Sequence, residues 1–266
     1  LFVQGVDVAL VMAVLEPIWS TKSETASRVR GRIESVLDWA KALGLRDGEN
    51  PARWRGHLDM LLPKPSKVST VKNHPALPYG DLPAFMKDLR EREGIAAAAM
   101  EFLILTAART GEVLNAPWSE VDTKKAVWTI PGARMKNGKE HVVPLSPAAI
   151  AVLARMEKLR SGDFIFTGQS SGRPLSNMAL LVLLRRMKRT EITSHGFRST
   201  FRDWAAERGY PDPVAEAALA HSVPDAVVAA YKRTTFFELR KKMMDDWATF
   251  ATSDPLEKSN VLPMRA

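Results

Sequence analysis

The sequence predicts a mainly α protein with a small antiparallel β-sheet, the sheet lying in the second of two domains. Three observations predict it. Apolar residues recur at helical spacing along most of the chain. The stretch "LPKPSKVSTVKNHPALPYGD" (residues 62–81) lacks that period, carries Pro63, Pro65, Pro75 and Pro78, and divides the periodic sequence in two. Two short β-type runs, "AVWTI" (126–130) and "HVVPL" (141–145), flank the basic loop "PGARMKNGKE", which is a hairpin pattern.

In the first half, residues 6–16 and 21–43 read as helices. Thr21-x-x-Glu24 is a capping-box pattern at the start of the second. Val29, Ile33, Val36, Leu37 and Ala40 then hold a helical apolar period. "NPARW" (50–54) breaks it, and a short helix over 55–62 follows. Beyond the prolines, Asp81 is placed to cap a helix with Leu82, Phe85, Met86 and Leu89 on one side. "IAAAAMEFLILTAA" (95–108) is apolar almost all round, as a central buried helix is. Helices follow over 147–160, 175–189, 195–208, 213–220, 225–233 and 236–250. The division is thus a helical domain over 1–62, a linker over 63–80, a second domain over 81–250 and a tail over 251–266.

The chain has 266 residues, a net charge of +8 and no cysteine. The charge favours an acidic partner such as nucleic acid. The missing cysteines exclude disulfides, cysteine-ligated zinc or iron–sulfur sites and a thiol nucleophile. No apolar run has the length of a membrane span. The first residues, "LFVQGVDVALVMAVLEP", lack the basic start and cleavage site of a signal peptide. They also lack an initiator methionine, so the chain is expected to be a fragment of a longer, cytoplasmic protein.

Candidates for chemistry are few. In "HGFRSTFRDWAAE" (195–207), Phe197, Phe201, Trp204 and Ala205 should face the core, leaving His195, Arg198 and Arg202 on adjacent turns. A guanidinium cannot ligate a metal, but beside an imidazole it suits a phosphate or carboxylate. A capped helix end with a solvated arginine would read the same way. Arg109 ends the apolar helix, where a charge is costly unless it is paired or lines a cleft. Glu112 is the available partner. Lys136 sits in the hairpin loop. No Gly-x-Ser-x-Gly elbow supports a serine hydrolase. The tyrosines are Tyr79, Tyr210 and Tyr231, and His221 precedes the last of them in "ALAHSVPD".

These residues, in this order, resemble the boxes of the tyrosine recombinases, specifically the phage and genomic-island integrases. "TAARTGEVLNAPWSEVD" is similar to the first-arginine box, with Arg109 and Glu112. "MKNGKEHVVPLS" resembles the β-hairpin box, with Lys136. "HGFRSTFRDWAAE" resembles the His-x-x-Arg box, with His195 and Arg198. "ALAHS" resembles the second-histidine box at His221, and "AAYKRTTFFELRKKMMDDWA" the nucleophile box at Tyr231. "IWSTKSETASRVRGRIESVLDWAKALG" and "NPARW" resemble the core-binding domain of the same integrases. One departure is Ala220, where the family commonly has glycine.

The resemblance implies a helical core-binding domain followed by an α+β catalytic domain, without the small arm-site-binding domain with which such integrases begin. It implies cleavage and rejoining of DNA through a 3′-phosphotyrosyl link to Tyr231, with no metal or other cofactor. Arg109 and Arg198 would hold the phosphate, and Lys136 would protonate the departing 5′-oxygen. His195 would accept or orient the tyrosine proton, and His221 would donate a hydrogen bond to the phosphate. Glu112 would orient Arg109 or His195. The implied partners are double-stranded DNA at core-type attachment sites, further protomers in a tetramer, and accessory DNA-bending proteins, with no membrane involved.

Arg28, Arg30, Arg32, Lys64, Lys67, Lys72 and Arg202 are candidate backbone contacts to DNA, or else solvated charges. In the last helix Phe236, Leu239, Met243, Trp247 and Phe250 form an apolar stripe, suited either to its own domain or to a neighbouring protomer. Related possibilities are a chromosome-dimer resolvase, a topoisomerase-like enzyme on the same catalytic fold, or a DNA-binding regulator that does not cleave.

Overall fold

The computed structural model describes residues 2–68, 75–168, 172–221 and 235–255. It is mostly helical, with one three-stranded antiparallel sheet, and the chain forms two compact units, Leu1–Asn73 and His74–Ala266.

The first unit is built on α1 (Val8–Trp19) and α2 (Ser23–Ala42). The Asp7 carboxylate accepts the Leu10 N–H at 2.9 Å and caps α1. The capping box expected at Thr21 does not form: α2 starts at Ser23, with Lys22 at the N-cap and no side-chain cap. Val11, Leu15 and Trp19 from α1 pack with Ala26 and Leu37 from α2, and with Ala52 and Leu58. Trp19 stacks on Trp54 at 5.5 Å and donates its indole N–H to the Pro63 carbonyl. Val36, counted in the apolar period, is exposed beside Trp39 and Leu43, so the buried stripe is narrower than the sequence suggests. The helix expected over 55–62 is a 3-10 turn at Leu58–Met60, and α3 (Pro65–Val68) adds a single helical turn within the stretch read as a linker.

The second unit is organised around α5 (Ile95–Thr106), buried from Ala97 to Thr106. α4 (Leu82–Arg90), α7 (Pro147–Glu157), α8 (Ala179–Arg186) and α11 (Phe237–Ala251) pack against it or against one another around it. Asp81 holds the N-cap position of α4 but makes no side-chain cap: its backbone is helical rather than extended, and Pro83 has no N–H to offer. The sheet runs β1 (Val121–Asp122), β2 (Val127–Ile130), β3 (His141–Pro144), with Trp128 opposite Val143 and Ile130 opposite His141. β1, two residues long, carries no periodicity and was not expected. Alternation along β2 turns Trp128 and Ile130 into the core, where Trp128 meets Phe102 at 5.4 Å.

α11 packs on its own domain. Met243, Met244 and Trp247 are buried, and the Trp247 indole N–H donates to the Ile104 carbonyl at 2.8 Å. Buried Arg240 donates to the carbonyls of Thr235 and Val142, each at 2.8 Å, and ties α11 to β3. Leu239 is the member of the stripe left exposed. The helix expected over 225–233 lies outside the described residues.

Candidate active site

The first arginine is placed by a backbone reversal. α5 ends at Thr106, and Ala107 adopts a left-handed conformation (φ 50°), so Arg109 caps the next helix, α6 (Thr110–Leu114), rather than ending the apolar one. Glu112 is buried on α6. One of its oxygens accepts the Arg109 backbone N–H and the other its guanidinium, both at 2.8 Å. Arg109 also donates to the Ala220 carbonyl at 3.3 Å. Pairing and lining a cleft are therefore the same arrangement: Glu112 holds Arg109 by its backbone and its guanidinium.

The helix α9 (Gly196–Glu207) buries Phe197, Phe201, Trp204 and Ala205, as its period predicts. Gly196 has a steric reason to be glycine, since a Cβ there would lie 2.1 Å from the Pro75 carbonyl oxygen. His195 stands at the N-cap position of the helix and is exposed. Arg198, three residues on, is buried with only 5% of its surface exposed. Its guanidinium donates to the carbonyls of Ala107 (2.6 Å) and Leu219 (2.7 Å). Burial, and then the Arg109 charge, pull it down to about 10, so it stays cationic at neutral pH.

His221 is placed by the end of α10 (Asp212–Ala218). Its N–H donates to the Glu216 carbonyl and that of Ala220 to Ala217, with Ala220 left-handed at φ 49°. This is a Schellman motif, and Ala220 occupies the position where glycine is favoured. The departure noted at Ala220 thus falls where a left-handed backbone is required. His221 Nε2 lies 3.1 Å from the Arg198 guanidinium, and Nδ1 lies 2.6 Å from a Glu216 oxygen. A guanidinium only donates, so Nε2 accepts and Nδ1 carries the proton to Glu216. His221 thus turns its Nε2 lone pair toward Arg198.

One cleft of about 570 Å³ is lined by Arg109, Lys136, His195, Arg198, Glu216 and His221, among others. Lys136 is exposed on its rim, in the loop before β3. Arg134 fixes the base of that loop, donating to the Glu112 carbonyl at 2.6 Å and pairing with Glu120. Behind the cleft, burial and the nearby Arg240 charge lower His141 to about 4, keeping it neutral. Tyr231 lies outside the described residues.

The phage integrase family model matches residues 79–237, and the model of the phage integrase central domain matches residues 1–57. The chain belongs to the phage integrase family. Its relatives include the prophage integrase IntA of Escherichia coli K12, 34% identical over 85% of this chain and 54% of IntA. The integrase of enterobacteria phage P4 is 31% identical over 87% of this chain and 56% of its own length. The chain thus spans about half the length of these curated relatives. Among solved structures, λ integrase bound as a dimer to a COC′ core site aligns with TM-score 0.61 and 17% identity, over 83% of this chain and 80% of that one. A λ integrase tetramer on a Holliday junction aligns with TM-score 0.63 and 16% identity, over 84% and 66%. These likenesses show that this family member has the integrase fold.

The cations read as DNA contacts divide. Arg32, Lys64 and Lys67 are exposed, and Arg28 is exposed beside Glu24. Arg30 is not a surface charge: it turns inward to Glu34, the Ala52 carbonyl and the face of Trp54. Arg202 is likewise committed, at 3.0 Å to both Glu216 and Asp212. Lys72 lies outside the described residues. Among the described residues no side-chain group is placed to hold a metal ion, and no helix is long and apolar enough to cross a membrane. Sequence reasoning missed Glu216, Arg134 and His141. The signal for Glu216 was its position five residues before His221, two residues before the end of α10.

Proposed function

We propose that this chain carries the core-binding and catalytic parts of a site-specific DNA recombinase that breaks and rejoins strands through Tyr231. The observation that carries the reading is the cleft in which Arg109, Lys136, His195, Arg198 and His221, distant in sequence, line one space. Its two arginines and exposed lysine suit a phosphodiester, whose charge grows in the pentacoordinate transition state.

In this reading the Tyr231 oxygen attacks the scissile phosphorus, forming a 3′-phosphotyrosyl ester and breaking the bond to the 5′-oxygen. His195 accepts or orients the tyrosine proton, and Lys136 delivers a proton to the departing oxygen. Arg109 and Arg198 hold the non-bridging oxygens. Attack by a 5′-hydroxyl on the ester reverses the step, so bond energy is conserved. That λ integrase is solved as a dimer on a core site and as a tetramer on a Holliday junction supports duplex DNA as the substrate and a tetramer as the working assembly here. The same reading makes the protein cytoplasmic and leaves room for accessory DNA-bending partners.

The test is a duplex carrying a nick near the cleavage site, which traps the covalent adduct. The wild-type chain is expected to form the adduct, and Tyr231→Phe, Arg109→Ala and Arg198→Ala are not. An adduct that survives Tyr231→Phe would sink the assignment of the nucleophile.

A further inference from the structure

Glu216 belongs to none of the boxes that identify the family, yet it lines the cleft and its carboxylate joins side chains from two different segments. One oxygen accepts the Arg202 Nε–H at 3.0 Å, and the other accepts from His221 Nδ1 at 2.6 Å. Arg202 is itself anchored by Asp212 at 3.0 Å. On the far side, His221 Nε2 accepts from the Arg198 Nη2, whose other partner is the Leu219 carbonyl at 2.7 Å. The chain Asp212–Arg202–Glu216 therefore alternates in sign, and the neutral His221 ring links its last carboxylate to the Arg198 guanidinium.

We propose that Glu216 is a positioning residue for His221, holding its ring as the Nδ1–H tautomer so that the Nε2 lone pair faces Arg198. An unconstrained histidine side chain prefers the opposite tautomer, so a partner is needed to select this one. An Nε2–H would point a proton at the N–H of Arg198, which has no lone pair to receive it. The ring would then turn away, and the Arg198 guanidinium would lose one of the contacts that fix its plane. Arg202 serves the same end one step back, by occupying the other oxygen of Glu216. This gives Arg202 a reason to lie on the His-x-x-Arg helix that does not involve DNA.

The effect on strand cleavage rests on the function proposed above, and the tautomer does not. The two are separated by pairing a spectroscopic measurement with an activity measurement. Nitrogen-15 spectra of histidine-labelled protein, in mildly alkaline buffer where imidazole is neutral, report which ring nitrogen carries the proton. The His221 signals are assigned by their loss in His221→Gln. Wild type is expected to show His221 protonated at Nδ1, and Glu216→Gln to shift the signals toward the Nε2–H form, with Glu216→Asp between them. Wild-type His221 protonated at Nε2, or signals unchanged in Glu216→Gln, would overturn the proposal. With the nicked duplex, Glu216→Gln should slow single-turnover adduct formation by about ten- to a hundredfold at unchanged DNA affinity, less than the loss when the tautomer of a general base is wrong. A wild-type chain that forms no adduct removes the recombinase reading and leaves the spectra to decide the tautomer. An altered tautomer with an unchanged cleavage rate removes the positioning role.

Discussion

Two alanines in left-handed conformation bracket the cleft, and each presents a carbonyl to an arginine: Ala107 to Arg198, Ala220 to Arg109. Such a conformation costs an alanine about 1–2 kcal/mol, and strain of this kind collects at functional sites. Ala220→Gly is expected to remove the strain while loosening the unfolded chain. Urea unfolding should then show a change no larger than about 1 kcal/mol, with adduct formation retained. His141 supplies a pH-dependent term. Its folded value of about 4 lies below the ordinary 6.5, so between these values the unfolded chain binds a proton that the folded one refuses. The stability is fully present above the unfolded value and is lost as pH falls toward the folded one, by about 3 kcal/mol at the limit. Denaturation at a series of pH values should show His141→Gln with a shallower acid loss than wild type, and equal slopes would refute the assignment.

At the scale of elements, close backbone approaches hold the site's parts together. The start of α9 presses on residues 75 and 76, and a Cβ at Gly196 would meet the Pro75 oxygen at 2.1 Å. Gly196→Ala is therefore expected to lower stability by about 1–3 kcal/mol, read from thermal unfolding. The hairpin loop has a similar constraint, because a Cβ at Gly132 would lie 2.5 Å from the Gly138 oxygen. Gly132→Ala should displace the loop that carries Lys136, slowing adduct formation several-fold. The melting temperature should stay close to wild type. A rate equal to wild type would show that the loop sets its position on binding DNA. α11 closes the core through Trp247, which is fully buried and bonded to Ile104. Trp247→Ala is expected to cost about 3–5 kcal/mol, as large-to-small changes at such sites do.

For the whole molecule, the +8 charge sets an expectation independent of any one contact. Binding to duplex DNA should weaken linearly in log K against log salt, because phosphate contacts release counterions. Fluorescence anisotropy across a salt series measures the slope. A flat response would mean that the exposed cations, Arg28, Arg32, Lys64 and Lys67 among them, do not track the backbone. Each unit has its own buried cluster, so residues 75–266 alone should unfold cooperatively. They should also form the adduct at higher DNA concentration.

The periodic parts of this protein were legible in its sequence because periodicity records burial directly. Phe197, Phe201 and Trp204 were placed in the core by spacing alone, and α5 was marked as central by its unbroken apolar run. Arg109, Lys136, His195, Arg198 and His221 were recognisable because each sits in a short local pattern. Spacing along a chain carries no information about where a long polar side chain ends. Arg30 and Arg202 looked like surface cations, and only the fold showed that each reaches a carboxylate. The same holds for Glu216, whose two oxygens meet groups from α9 and from beyond α10. The residue types of the cleft were thus fixed by the sequence. Which atom donates, which accepts and which charge is already neutralised was decided by the tertiary structure, because those depend on distances of a few ångströms between segments far apart in the chain.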